Sequence, residues 1–526
     1  MQRIKPFPFS EVKSKVLAKS TFAFLQFGGA IVLYVALRLH NLTAYSLSGG
    51  EVFIMNGVRQ GWRAMMDYII ADVVHPPLFY VLVKIWIGLG GESILWLKLL
   101  PLLIAIATLL PLVMLCKALG LRPNERNLAL FLMGVNGYLI HYAQEFRMYI
   151  LLLFWATCSY WLFVVFLRQE SVKWRMIAAL TAVNVLMVYS HYYGWLVVAS
   201  EFLVLLLWAR AKTRTFFLST LVVAALFGFW ALPVTRAAIG LGGLEPNLDW
   251  IPRPTLASLG RLYATFNGLL SPPGSKIAGL LLFALPVAVW IGRTLSDEGA
   301  GDSADKTTLR ALLLFTFAPV TGVWLLSHVA PVALWIERYF IFVAVPYLIL
   351  VSVAVFRLRP RWLANVVLGS VIVWSGVAGG HHLVSNRNAW EGADLGSRIP
   401  WEHLARQMSE AEPADGRQIP VYALSTHSLG VEIGYWSVAL PMEYYWKAQN
   451  EDRFEVVYSR DLPSLLTLAD REHFWVLFFE SSELSRDTLE STLATQGFEV
   501  GEGFHFGQFG RVVLLPASSN RKTENE

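Results

Sequence analysis

Hydrophobic residues along this chain come in runs of about twenty, the length that crosses a bilayer as an α-helix, separated by short polar stretches. The pattern predicts about eleven transmembrane helices, roughly over residues 20–40, 94–116, 127–141, 150–167, 176–190, 195–209, 216–233, 276–292, 309–327, 338–356 and 362–379. The shorter runs fit by tilt or by local thinning of the bilayer. The expected fold class is a polytopic α-helical membrane protein. Beyond residue 380 the pattern changes. Strand-like runs at 420–424, 473–479 and 511–515 alternate with helix-like stretches at 401–408 and 484–496. That order predicts a soluble α/β domain over 380–526.

Lys and Arg in short loops mark the cytoplasmic side of a membrane protein. Residues 1–19 carry Arg3, Lys5, Lys13, Lys15 and Lys19 without a small-residue cleavage signature, so an uncleaved first helix with a cytoplasmic N-terminus is expected. The basic groups Lys117, Arg122 and Arg126; Arg168, Lys173 and Arg175; Arg210, Lys212 and Arg214; Arg293, Lys306 and Arg310; and Arg357, Arg359 and Arg361 then all fall inside. The agreement requires that the apolar run 77–89, short and carrying Lys84, lie on the membrane surface. A structured outer loop over 41–93 results, with an amphipathic segment at 51–70. A second outer loop, 234–275, holds Pro246, Pro252, Pro254, Pro272, Pro273, Asp249 and Trp250 and has the composition of a lid. The soluble domain also falls outside, which places the chain in a bacterial inner membrane with a periplasmic C-terminal domain.

Composition sharpens this picture. The chain is 55% hydrophobic and 15% charged, against roughly 25% charged in soluble domains. Its net charge of +5 is dispersed between apolar runs, which argues against a nucleic-acid partner. Cys116 and Cys158 both lie within apolar runs and support neither a disulfide framework nor a cysteine metal site.

Ionisable residues beside apolar helices are costly and mark function or a structural tie. Here they gather at the outer ends: Glu51, Asp72 and His75; then His141, Gln144, Glu145, Arg147 and Tyr149; then His191, Tyr192 and Tyr193; then Glu337, Arg338 and Tyr339. Transporters place such groups near the midplane on broken helices of repeated halves, a pattern not evident here. Glu51, after Gly49 and Gly50, suits a general base or a ligand of a divalent metal such as Mg or Mn; equally, it suits a helix-start acid favoured by the macrodipole. His141, Glu145 and Tyr149, four apart, would share a helical face, as a site or as a polar knot between helices. His75, before Pro76 and Pro77, suits a phosphate contact or a structural role. Arg338 suits paired hydrogen bonds to phosphate, or snorkelling to the interface. Glu201, inside a span, is assigned to helix packing.

Segments 47–51, 75–80, 142–149, 189–193 and 338–339, in this order, resemble the GT-C class of integral-membrane glycosyltransferases. They are most similar to bacterial relatives of protein O-mannosyltransferases and lipid A aminoarabinose transferase (glycosyltransferase family 39-like), over about residues 20–380. The resemblance implies a polyprenyl-phosphate-linked sugar as donor, a hydroxyl acceptor on a lipid, glycan or protein, and transfer with inversion at the outer face. It implies Glu51 as catalytic base or metal-linked acid and Glu145 as second acid, both being candidate metal ligands. It implies donor binding by His75, Gln144, Arg147, Tyr149, His191 and Arg338. The family commonly carries an Asp–Glu pair in the first outer loop, and Gly50 stands here at the Asp position. The alternatives are a transporter or flippase that binds a lipid-linked glycan without chemistry, or a non-catalytic binder of lipid-linked glycans, the latter motivated by Gly50.

The topology predicts that an impermeant thiol reagent added to intact spheroplasts labels Ser428→Cys and leaves Ser296→Cys unlabelled. The reverse pattern would invert the assignment of the loops.

Overall fold

The computed structural model describes residues 9–243, 248, 251–268, 274–296, 303–385, 400–412, 418–424, 439–459, 473–480, 485–506 and 511–519. Pro246, Asp249, Trp250, Pro272, Pro273 and Ser428, with Arg3, Lys5 and residue 484, lie outside the described residues.

The chain opens with α1 (Phe9–Leu39), followed by three helices of the first long loop: α2 (Gly49–Val58), α3 (Trp62–Asp72) and α4 (Leu78–Gly90). The segment 51–70 is thus two helices, because Gly61 takes extended backbone and opens α3. Lys84 of α4 donates to the carbonyls of Val58 and Gln60 at 2.8 and 2.5 Å. Its charge is thereby spent on carbonyls that the end of α2 leaves without helical partners. Next, α5 (Ile94–Ala107) and α6 (Leu109–Ala118) run on through Thr108 as one 25-residue apolar stretch.

The span expected at 127–141 is instead two short helices, α7 (Pro123–Val135) and α8 (Gly137–Gln144). Asn136 makes the break. Its Oδ1 accepts the Leu139 N–H at 3.1 Å as an N-cap, and its Nδ2 donates to the Phe266 carbonyl at 2.8 Å. Arg38 of α1 closes the end of α7 by donating to the carbonyls of Met133 and Gly134 at 3.0 and 3.1 Å.

The remaining helices are α9 (Tyr149–Arg168), α10 (Trp174–Ser190), α11 (Gly194–Trp208), α12 (Arg210–Gly240), α13 (Leu256–Phe266), α14 (Ser275–Ser296) and α15 (Ser303–Val329), then a 3-10 turn (Glu337–Val343), α16 (Ala344–Arg357) and α17 (Arg361–Ser385). Among the described residues, seven stretches are long and apolar enough to cross a membrane, and α10, α11, α4 and residues 23–39 of α1 are shorter apolar helices. The stretch Glu337–Arg357 is 94% buried, against 22% for Arg210–Gly240. The bundle is therefore built around α16, and α12 presents most of its apolar surface outward. Glu201, on α11, accepts from the Ser159 hydroxyl at 2.7 Å and the Asn184 amide at 3.3 Å and ties three helices together.

The chain then forms α18 (Trp401–Ala411), β1 (Ile419–Leu424), α19 (Leu440–Ala448), β2 (Phe454–Ser459), β3 (His473–Glu480), α20 (Arg486–Thr495), β4 (Phe498–Val500), β5 (Phe504–Phe506) and β6 (Arg511–Ser519). The sheet runs β2-β1-β3-β6-β4, with β5 also on β6. β2, β1 and β3 are parallel and β6 is antiparallel to β3. Successive side chains of β1 point to opposite faces: Val421 packs with Trp401 and Trp446, and Tyr422 with Phe474 and Leu489.

Candidate active site

Glu51 lies in the first turn of α2, three residues after Ser48, whose extended backbone caps the helix. Its Oε2 accepts the Ser48 N–H at 2.7 Å, the carboxylate half of a capping box. Its Oε1 accepts the Phe146 N–H at 2.6 Å and a hydrogen bond from the ammonium of Lys98, which projects from the second turn of α5. Glu51 is 1% exposed and Lys98 4%. A carboxylate at such depth persists when its charge is paired and its oxygens accept hydrogen bonds, and Glu51 meets both conditions. Lys98 is missing from the residues picked out by sequence, although a lysine inside the apolar run 94–116 is itself a signal.

α8 ends at Gln144, and Glu145 leaves the helix in extended backbone. The Arg147 N–H then donates to the Glu145 carbonyl at 2.8 Å, a three-residue turn centred on Phe146. Because Glu51 holds the Phe146 amide, this turn is fixed, and its two flanking side chains go to different partners. Glu145 lines a small cleft with Leu42, Tyr45, Glu51, Lys98, His141 and Gln144, its Oε2 4.0 Å from His141 Nε2. The Gln144 amide is committed elsewhere: it donates to the Arg38 and His40 carbonyls at 3.0 and 2.7 Å and ties α8 to the end of α1.

Arg147 turns the other way. Its Nη2 lies 3.3 Å from His75 Nε2, and His75 Nδ1 lies 2.6 Å from Asp72 Oδ2. Guanidinium can only donate, so His75 accepts at Nε2 and donates from Nδ1 to Asp72. Both ring nitrogens are in use. His75 thus braces Arg147, in line with the structural role that sequence left open beside a phosphate contact. The guanidinium lies against Gly50: a Cβ at that residue would sit 1.9 Å from Arg147 Nη1.

Around Arg147 the other members of the predicted set converge. The guanidinium carbons of Arg147 and Arg338 lie 5.3 and 5.9 Å from the centre of the Tyr149 ring, within cation–π range. His191 is edge-on to Tyr339 at 4.5 Å and 6.3 Å from the Tyr149 ring. Burial, followed by the neighbouring Arg147 and Arg338 charges, holds the His191 imidazole well below its ordinary pKa. It stays neutral. Its Nδ1 accepts the Tyr193 N–H at 3.1 Å, which leaves the proton on Nε2 as a donor. The buried hydroxyls of Tyr80 and Tyr149 make no hydrogen bond among the described residues. Arg147, Arg338 and His191 thus gather around Tyr149, and Glu145 lines a cleft with His141 and Glu51.

A divalent metal fits this geometry poorly at Glu51. Both carboxylate oxygens are already in hydrogen bonds, and the Lys98 ammonium holds the cation position. Among the described residues no group of three or more His, Cys, Asp and Glu side chains is arranged to hold a metal. In the second loop, Arg253 donates to the Ser327 carbonyl at 2.9 Å, which ties the described part of the expected lid to the end of α15.

No family model and no curated protein matches the chain. Solved structures do, and what this chain shares with them is the fold. ArnT from Cupriavidus metallidurans in the apo state is similar at 13% identity and a TM-score of 0.52, covering 95% of this chain and 98% of that one. The same ArnT bound to undecaprenyl phosphate is similar at 12% identity and a TM-score of 0.50, covering 94% and 98%. The Archaeoglobus fulgidus oligosaccharyltransferase in complex with Zn and sulfate is similar at 12% identity and a TM-score of 0.50, covering 92% of this chain and 72% of that one.

Removing one member of a buried ion pair leaves the other uncompensated, at a cost of about 3–5 kcal/mol. Lys98→Met is accordingly expected to lower the thermal unfolding temperature of the purified protein more than the double variant Lys98→Met/Glu51→Gln does. Additive losses in the two single variants would show that the pair is not coupled.

Proposed function

We propose that this chain is a membrane glycosyltransferase that moves a sugar from a polyprenyl-phosphate-linked donor to a hydroxyl acceptor at the outer face of a bacterial inner membrane. The N-terminus is cytoplasmic, about eleven helices span, and the C-terminal sheet domain is periplasmic. The observation that carries this reading is the 145–147 turn, which sets a carboxylate cleft directly beside a cluster of anion-binding donors.

Arg147 and Arg338, with the His191 Nε2–H and the Tyr149 hydroxyl, form the donor-phosphate site. Guanidinium groups bind phosphate through paired, charge-assisted hydrogen bonds. Gly50 gives Arg147 its place, and the Asp72–His75 pair aims it. Of the two acids, Glu145 is the general base. It lines the cleft, whereas both oxygens of Glu51 are already engaged by the Ser48 and Phe146 N–H groups and the Lys98 ammonium. In the reaction the acceptor hydroxyl gives its proton to Glu145 and its oxygen attacks the anomeric carbon. The bond from that carbon to the phosphate oxygen breaks, polyprenyl phosphate leaves with the electron pair, and the configuration inverts. The arginines stabilise the charge that develops on the leaving group. The solved ArnT bound to undecaprenyl phosphate supports the choice of carrier class.

Purified protein in nanodiscs, supplied with a polyprenyl-phosphate hexose and a panel of acceptors, is expected to release polyprenyl phosphate. Glu145→Gln should lower kcat by roughly 10²–10⁴-fold, the range of general-base catalysis. If the wild type releases no more than the Glu145→Gln and Glu51→Gln proteins with several donors and acceptors, the reading fails.

Gly50→Asp restores the acid common in the family but displaces the Arg147 guanidinium. It is expected to weaken undecaprenyl phosphate binding about tenfold, the equivalent of one charge-assisted hydrogen bond, and to raise no activity. Unchanged affinity, measured by fluorescence titration, would remove Arg147 from the phosphate site.

A further inference from the structure

The soluble domain grips the loop that carries Glu51 on both sides of α2. Before the helix, the Leu47 N–H donates to the Tyr445 hydroxyl at 2.8 Å, and the Glu402 N–H donates to the Ser46 hydroxyl at 3.2 Å. After it, Arg59 donates to the Tyr444 hydroxyl at 3.2 Å, lies 4.7 Å from the Tyr444 ring, and pairs with Glu92 at 2.6 Å. All these partners from the soluble domain come from α18 and α19.

α19 belongs to two cores at once. Leu440 is buried within the core of the helical bundle and Tyr444 packs against it, four residues apart on one face. Met442, Tyr445 and Trp446 are buried in the core of the sheet domain. A helix shared in this way cannot shift relative to one domain without disturbing the other. Tyr445 is 4% exposed, and burial raises its phenol pKa above the ordinary value, so the hydroxyl stays protonated and neutral.

The tie is one amide away from the acid. Leu47 N–H goes to Tyr445, Ser48 N–H goes to Glu51 Oε2, and Glu51 Oε1 holds the Phe146 amide that aims Glu145 and Arg147. We infer that Tyr445 of the soluble domain is a positioning residue for the active site, acting through the backbone at 47 and 48 on Glu51. The domain is then part of the catalytic machinery, and anything that displaces α19 slackens the carboxylate that fixes the 145–147 turn. The catalytic half of this inference rests on the glycosyltransferase reading; the mechanical half does not.

The test is Tyr445→Phe in the full-length protein, which removes one hydroxyl and keeps the ring in its core. Hydrogen exchange by mass spectrometry, at a temperature where both proteins are folded, is expected to show faster exchange over residues 46–52, with the sheet strands unchanged. In the polyprenyl-phosphate assay, kcat is expected to fall about tenfold, the scale of one buried hydrogen bond left unmade, with the donor KM within about twofold. Arg59→Ala, which releases the far end of α2, should act in the same direction. Unchanged exchange over 46–52 would overturn the mechanical tie. Faster exchange with unchanged kcat would overturn the positioning role. If the wild type transfers no sugar, the exchange arm still decides the tie, and the glycosyltransferase reading fails separately.

Discussion

The buried carboxylate of Glu51 is the constraint on which this site depends. It accepts the Ser48 N–H, the Phe146 N–H and the Lys98 ammonium, and each partner belongs to a different part of the chain: the approach to α2, the turn after α8, and α5. A single side chain thus joins the first long loop to two places in the bundle. Such a group is held in place by its own cost. Withdrawn from water without its partners it would be strongly unfavourable, so the three elements are bound to whatever arrangement satisfies it. The 145–147 turn has no regular secondary structure of its own, yet it is defined because its central amide is spoken for.

The same constraint separates opposite charges over a very short distance. Glu145 and Arg147 flank the held residue, and in an unsupported loop they would be free to pair with each other or with solvent. With Phe146 pinned and the chain turned around it, the carboxylate goes to His141 and the guanidinium to His75 and Gly50. Asp72 reaches Arg147 through the His75 ring, which holds the guanidinium at Nε2 and the Asp72 carboxylate at Nδ1. His191 stays neutral beside two arginines and therefore offers a donor without adding to the positive charge.

Much of this was legible in the sequence, because membrane burial makes polar residues conspicuous. The outer-end groups 51, 75, 145, 147, 191 and 338 stood out against apolar runs, and they meet in one region. Three features escaped for physical reasons. Lys98 was hidden because hydropathy averages over a window, and one lysine in 94–116 barely lowers it. The break at Asn136 was hidden because an amide that caps one helix and bonds across to Phe266 has the composition of an ordinary helical residue. The expectation that His75 and Gln144 contact the donor came from the resemblance of segments 75–80 and 142–149. Which atoms are already committed to Asp72, Arg147 or the end of α1 depends on contacts between residues up to 106 positions apart.

Gly50 shows why a missing residue is a poor guide to a missing function. Judged by position, it is an acid lost from a pair. In space its lack of a side chain is occupied, because Arg147 Nη1 lies where even a Cβ would collide. An aspartate there would have to push the guanidinium aside before it could pair with it, and the Asp72–His75 brace would then point at nothing. Asp72 meets the arginine one imidazole away, and Lys98 is the cation next to Glu51. The absent side chain at Gly50 leaves the space at the start of α2 that the Arg147 guanidinium fills.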